Sequence, residues 1–273
     1  MGSTMKLHHD GIELHYEIHG DDDREKALCM GGWGSFCHGR FADAPRAIRD
    51  RYQVLIWDYP GVGDSTDDRS RPYRMPWLAH HAAALLDHLD WPRPHVIGMV
   101  GMGACVGQEL AIARPELVRS LIMTGTWASV DNTLHDMLSL FRDVHLTMGF
   151  EVFQRFVAAF SFEGAFYDQH RDRILGPQGA WGDLAGKADA HARLVDACLH
   201  HDVRGRMDQI RCPAFVLHAA LDPVTPTRTT MPLQVGIPGA TGEIWDDLSH
   251  VIAGKDMKLR FDRVITAFLA NVT

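Results

Sequence analysis

No apolar run in this chain approaches the roughly 20 residues that a helix needs to cross a bilayer, which excludes a membrane-spanning protein. Nor does a basic segment followed by an apolar one open it. The sequence therefore predicts no secretory signal and a cytoplasmic home, with Met1–Thr4 read as an appended leader before a native start at Met5. Cysteine is sparse: Cys29, Cys37, Cys105, Cys198 and Cys212 are odd in number and widely spaced, which argues against a disulfide framework or a CxxC metal pair and predicts buried thiols. Positive charge is short as well. Lys and Arg total 27 against 35 Asp and Glu, a formal charge of -8, and no basic stripe is available to meet phosphates, so nucleic acid is excluded as a partner. Repeats, low-complexity tracts and long linkers are lacking too. What remains is an ordinary globular composition, 46% hydrophobic and 23% charged over 273 residues, consistent with one folding unit around a large core. A small-molecule substrate is the partner expected, with a homodimer as an open alternative to the monomer; no cofactor and no metal are called for.

Histidine is the one residue in excess, 17 in all. The pairs His8-His9, His80-His81 and His200-His201 are adjacent, and neighbours in sequence point apart on a helix or strand, so scattered surface histidines are expected rather than a metal site. Strand-length apolar runs at 27–30, 52–58, 95–101, 120–125, 214–218 and 242–246 alternate with helical patterns. That order predicts an α/β fold with a mostly parallel, doubly wound sheet buried on both faces. One predicted helix carries Leu78, Ala82, Leu85, Leu86 and Leu89, and the carboxy-terminal one Leu259, Val264, Phe268 and Leu269. Between Thr126 and Asp208 no strand-like run occurs, and Leu134, Met137, Leu138, Phe141, Phe153, Phe156 and Phe160 follow helical spacing. The expected organisation is a core of 5–125 and 209–273 with a helical cap of 126–208 inserted.

Several segments, in order and spacing, then resemble the α/β-hydrolase superfamily along nearly the whole chain, with a core similar to that of meta-cleavage-product hydrolases and esterases. WDYPGVGDS (57–65) is similar to the loop after an early strand, and HVIGMVGMGACVGQELAIARPELVRSLIMTG (95–125) to the strand, nucleophile elbow, helix and next strand. Counting back from Pro115 puts the nucleophile position of G-x-S-x-G at Gly101, where no serine stands. A rival frame, Gly103 to Gly107, would offer Cys105 as in dienelactone hydrolases, but it lengthens the strand and leaves only ten residues from Cys105 to Pro115. A G-x-G-x-x-G phosphate loop fails on spacing.

The resemblance places the family's acid at Asp222, in AFVLHAALDPVTP, and its base at His250, in DDLSHVIAG. The carboxylate would fix the imidazole tautomer while the other ring nitrogen handles a substrate proton. Met30-Gly31-Gly32-Trp33 replaces the usual His-Gly of the oxyanion loop, yet backbone N–H donors from Gly32 and Met102 survive any change of side chain. Met30, Trp33, Met99, Val100, Met102 and Trp127 are the expected apolar pocket, suited to a flat or aromatic ligand. The implied function is an enzyme that lacks the serine nucleophile and uses His250 with Asp222 as general base on a small hydrophobic carbonyl or phenolic substrate. Relatives by fold in which the histidine deprotonates the substrate include carbon–carbon bond hydrolases of ring-cleavage products, hydroxynitrile lyases and cofactor-free dioxygenases, and a substrate from a biosynthetic or aromatic-degradation pathway is implied. Two alternatives stand beside it. VGMGA resembles the serine-free elbow of the non-catalytic NDRG family, which implies a ligand-binding protein, and a serine hydrolase inactivated by a Ser-to-Gly change would look the same at Gly101.

Overall fold

The computed structural model describes residues 3–272. It opens with an antiparallel hairpin, β1 (Ser3–His9) and β2 (Ile12–His19), turned at Asp10-Gly11 with both residues in the left-handed region. Ser3 and Thr4 already pair with Ile18 and Glu17, so β1 starts inside the stretch read as a leader; Met1 and Gly2 lie outside the described residues. There follow β3 (Lys26–Met30), β4 (Gln53–Trp57), β5 (His95–Gly98), β6 (Ser120–Thr124), β7 (Ala214–Ala219) and β8 (Thr241–Trp245). The sheet order is β1-β2-β4-β3-β5-β6-β7-β8, antiparallel at the hairpin edge and parallel from β4 to β8. This is the mostly parallel, doubly wound sheet that the alternating pattern implies.

Strand periodicity divides the core. Along β3, Ala27 and Cys29 join one apolar cluster while Leu28 and Met30 join the other, as a side-chain period of two requires. Over one face lie α1 (Arg46–Arg49) and α9 (Lys255–Leu269), with Ile48, Phe261 and Ile265 in that cluster. Over the other lie α2 (Met75–His88), α3 (Met102–Ala113) and α8 (Thr227–Gly236), which bury Leu78, Leu85, Val106, Leu110 and Leu233. Of the α9 residues expected to pack, Leu269 is buried and Val264 and Phe268 lie partly buried against the cluster, but Leu259 does not join them. Phe261, Ile265 and Leu269 are buried, whereas Leu259 is exposed, because spacings of four select a face that Leu259 does not share.

Residues 126–208 carry α4 (Asn132–Met148), α5 (Phe150–Ser161), α6 (Gly164–Ile174) and α7 (Ala188–Leu199). The segment enters and leaves the core at one place, where Ser129 bridges Asp202 and the Val203 N–H donates to the Ala128 carbonyl at 2.8 Å. All five cysteines are buried and unbridged. The histidines depart from the expectation of a surface scatter: His15, His81, His95, His145, His191, His201 and His218 are buried. Most of them are tolerated because each finds a polar partner, such as Ser120 for His95 at 2.7 Å, Gln108 for His201 at 2.9 Å and Thr230 for His218 at 2.5 Å. Among the described residues no helix is long and apolar enough to cross a membrane.

Candidate active site

In this sheet the connections reverse direction between β3 and β5, and the carboxyl ends of strands at such a point form a natural crevice. Every candidate residue sits at one of those ends. Asp222 follows β7 and His250 follows β8, and His250 Nδ1 lies 2.8 Å from Asp222 Oδ2. The carboxylate is fully enclosed: Oδ1 accepts the Val224 and Thr225 N–H groups at 2.8 and 2.9 Å, and Oδ2 the Thr225 hydroxyl at 2.6 Å. Burial alone would push this carboxyl up, but His250 and the Thr225 donors outweigh it and hold the group below its ordinary value. A fixed anion at Nδ1 makes that nitrogen the donor and leaves Nε2 with its lone pair free; Nε2 has no partner among the described residues.

The strand-to-helix turn differs from the expected one in length. A side chain at Gly98 would sit 2.4 Å from the Ala104 Cα, and one at Gly103 would sit 2.3 Å from the Met30 carbonyl oxygen, so these two glycines let β5 and α3 touch. Four residues separate them, where G-x-S-x-G has three. β5 accordingly ends at Gly98 rather than 101, and the turn is spread over Val100 (φ 54°) and Gly101 (φ 81°). A side chain at Gly101 would begin 3.2 Å from the Trp127 ring and 3.3 Å from the Gly125 carbonyl oxygen. Val100 takes the forward place: its Cβ lies 3.6 Å from where a Cβ on Gly32 would be. A β-branched residue in the left-handed region is strained, and neither turn residue bears a nucleophile. Cys105 lies in the first turn of α3, wholly buried with its Sγ 3.3 Å from the Thr126 hydroxyl, and burial pushes its thiol well up. It is core packing.

Two chambers meet over the turn. The inner one, about 30 Å³, is bounded by His250, Gly101, Met102, Trp127, Trp33 and cap residues including Phe141, Val157 and Ser161. The outer one, about 550 Å³, runs from Gly32, Met99 and Val100 to Phe162, Phe166 and Ile174. Gly32, Val100 and Trp181 border both. Trp33, Val100 and Trp127 thus line the space where sequence put them. Met30 does not: as the last residue of β3 it faces the α3 side, and its methyl would meet a side chain added at Gly107. The N–H groups of Gly32 and Met102 donate no hydrogen bond among the described residues, and Met102 opens α3, whose N-terminal dipole favours a developing negative charge beside it.

Two groups escaped the sequence reading. Thr225 supports the dyad from a loop in which only the acid had a recognisable position. Ser161 ends α5 with its hydroxyl buried and unpartnered beside His250, and its carbonyl accepts the Val251 N–H at 2.9 Å. A lone serine in a cap helix carries no sequence signal.

A family model described as alpha/beta hydrolase fold matches residues 28–252. A protein of Pseudomonas syringae pv. syringae named "Putative carbamate hydrolase RutD" is 27% identical over 242 residues, 89% of this chain and 91% of its own length. The 3-oxoadipate enol-lactonase 2 of Acinetobacter baylyi is 29% identical over 217 residues, 78% of each chain. Among solved structures, MGS-M2, an alpha/beta hydrolase enzyme from a Medee basin deep-sea metagenome library, superposes with a TM-score of 0.86 at 18% identity, covering 98% of both chains.

Proposed function

The chain belongs to the α/β-hydrolase fold family, and on that premise we propose that it is an enzyme in which His250, oriented by Asp222, acts as general base without a serine nucleophile. One observation carries this reading: the 2.8 Å dyad leaves one imidazole nitrogen unpartnered where His250 lines the inner chamber, while Val100 and Gly101 hold the elbow without an oxygen or sulfur. With no side-chain nucleophile, the base takes its proton from water or from an acidic O–H or C–H of the substrate. The N–H groups of Gly32 and Met102 receive the oxyanion that forms on the carbonyl, and Ser161 offers the chamber a further hydrogen bond.

The names of the relatives refer to a carbamate and an enol-lactone. An enol-lactone, an ester with an enol leaving group, is open to direct attack by water, whereas a carbamate carbonyl is deactivated by its nitrogen lone pair; what the two share is an acyl carbonyl, and they favour hydrolysis of a small carbonyl compound among the chemistries open to the dyad. The outer chamber adds a feature: Arg173 and Lys255 on its wall have no ion pair among the described residues, which suits a substrate bearing a carboxylate at the end remote from His250.

The test is turnover of a panel of enol-lactones and carbamates, followed by mass spectrometry of products. His250→Ala should abolish turnover yet leave binding within a few fold, because the chamber walls supply most contacts. Asp222→Asn should cut turnover by about 10⁴ by leaving the imidazole in the wrong tautomer. Ligands that bind wild type and His250→Ala equally, with neither protein altering any of them, would establish a binding protein instead.

A further inference from the structure

Outside the dyad and its chambers, the described residues bring potential metal-ligating side chains together in one buried cluster, which the proposed chemistry leaves idle. His15 on β2, Cys37 in the loop after β3 and Asp58 just past β4 bring an imidazole nitrogen, a thiol sulfur and a carboxylate oxygen within 4.8 Å of one another. All three side chains are enclosed, His15 at 2% exposure and the other two at 0%. Both ring nitrogens of His15 and Oδ1 of Asp58 have no hydrogen-bond partner. A neutral imidazole always carries one N–H and one lone pair, so His15 wastes a donor and an acceptor in either tautomer, and each buried group left so costs about 1–3 kcal/mol.

Further donors stand at the edge. His38 Nε2 lies 2.7 Å from Asp58 Oδ2, and Glu17, two residues from His15 and therefore on the same face of β2, brings Oε1 to 3.6 Å from His15 Nε2. His15, Glu17 and His38 form a second set within the same 4.8 Å limit.

We propose that this cluster is a binding site for a zinc-class divalent cation, held by His15, Cys37 and Asp58 with His38 or Glu17 completing the shell. Imidazole, thiolate and carboxylate are the donors that such an ion takes, whereas magnesium and calcium prefer a shell of oxygens. Bonds of about 2.0–2.3 Å place tetrahedral donors within about 4 Å of one another, so side-chain rotations of about an ångström close the shell. On binding, the Cys37 S–H bond breaks, the proton leaves to solvent and a metal–sulfur bond forms, so affinity falls as pH falls. Four protein ligands and no open position make the site structural. Its place gives it a purpose: Cys37 lies in the loop that begins at Gly31 and Gly32, and the ion would tie that loop to β2 and to the end of β4, setting the Gly32 N–H that receives the oxyanion.

Chelator-stripped full-length protein, titrated with cobalt(II) alone, should bind one equivalent with the absorption of a tetrahedral centre and a near-ultraviolet thiolate charge-transfer band, both removed by added zinc. Cys37→Ser should lose the charge-transfer band, Cys29→Ser should keep it, and His15→Asn should weaken affinity at least about tenfold. In wild type, zinc should also protect Cys37, and not Cys212, from alkylation mapped by peptide mass spectrometry. This readout stands even if the variants fail to fold. Cobalt bound without a thiolate band, a band that survives Cys37→Ser, or alkylation of Cys37 indifferent to zinc would each overturn the site and leave only adventitious binding by surface histidines.

Discussion

At the scale of single residues, no serine stands between Gly98 and Gly103, and two residues of that turn, Val100 and Gly101, have positive φ. Counting back from Pro115 fixes the helix end, and an extra residue between Gly98 and Gly103 is invisible to a count made from one side. The consequence is testable by restoring the missing oxygen. Val100→Ser should become labelled by a fluorophosphonate probe that reports an activated serine, since position 100 already holds φ 54° and stands over Gly32. Gly101→Ser and the wild type should stay unlabelled, because a side chain at 101 would begin 3.2 Å from the Trp127 ring. Labelling of Gly101→Ser alone would restore the simple count. Asp222 and His250 were legible because each follows a strand in the order that the resemblance requires. Ser161 was not, since its proximity to His250 depends on how the cap folds back.

Among elements, the junction of β5 with α3 is the most tightly constrained. Gly103→Ala places a methyl 2.3 Å from the Met30 carbonyl, a contact with backbone that no rotamer change relieves. Chemical denaturation should show a loss at or above the upper end of the 1–3 kcal/mol typical of overpacking, and Gly98→Ala should behave alike. Gly149→Ala, where nothing lies within 4 Å of the added methyl but φ 80° and ψ 175° belong to a region essentially reserved for glycine, should cost about 1–3 kcal/mol from backbone strain alone. Of the six parallel strands, β3 to β7 were legible as apolar runs because burial on both faces removes polar alternation, whereas the edge strand β8 is largely exposed and buries only Trp245. The amino-terminal hairpin was not picked out, although MKLHHDGIELHYEIHG carries an Asp-Gly turn between two arms; its arms mix histidine and glutamate with apolar residues, which blurs a period of two.

For the whole molecule, the buried histidines set the response to acid. Burial, reinforced for His81 by His9 and His80 and for His95 by Arg119, lowers both imidazoles to about 4 from an ordinary value of 6.5. An unfolded chain takes up these protons below pH 6.5 and the folded chain only near 4, so stability falls as pH drops through that window and levels beneath it, by on the order of 3 kcal/mol for each fully buried ring. Denaturation midpoints measured from pH 7 to 4 should trace this slope, and His95→Asn should flatten it; a midpoint constant across the window would show that these rings are accessible to protons in the native state. None of this was legible as spacing, because whether a histidine is enclosed depends on tertiary neighbours such as Ser120. The interruption itself was legible, since the eighty residues without a strand-like run fall between β6 and β7 and fold as helices.

The Ser129–Asp202 bridge has a bearing on descent as well as on folding. Because the chain departs and returns at the same spot, everything between is a closed excursion whose length and composition leave the register of every strand untouched. Scaffold and substrate preference can therefore be inherited separately: lineages sharing this sheet and this histidine are free to exchange the excursion, and with it the molecules they accept, without relearning how to fold.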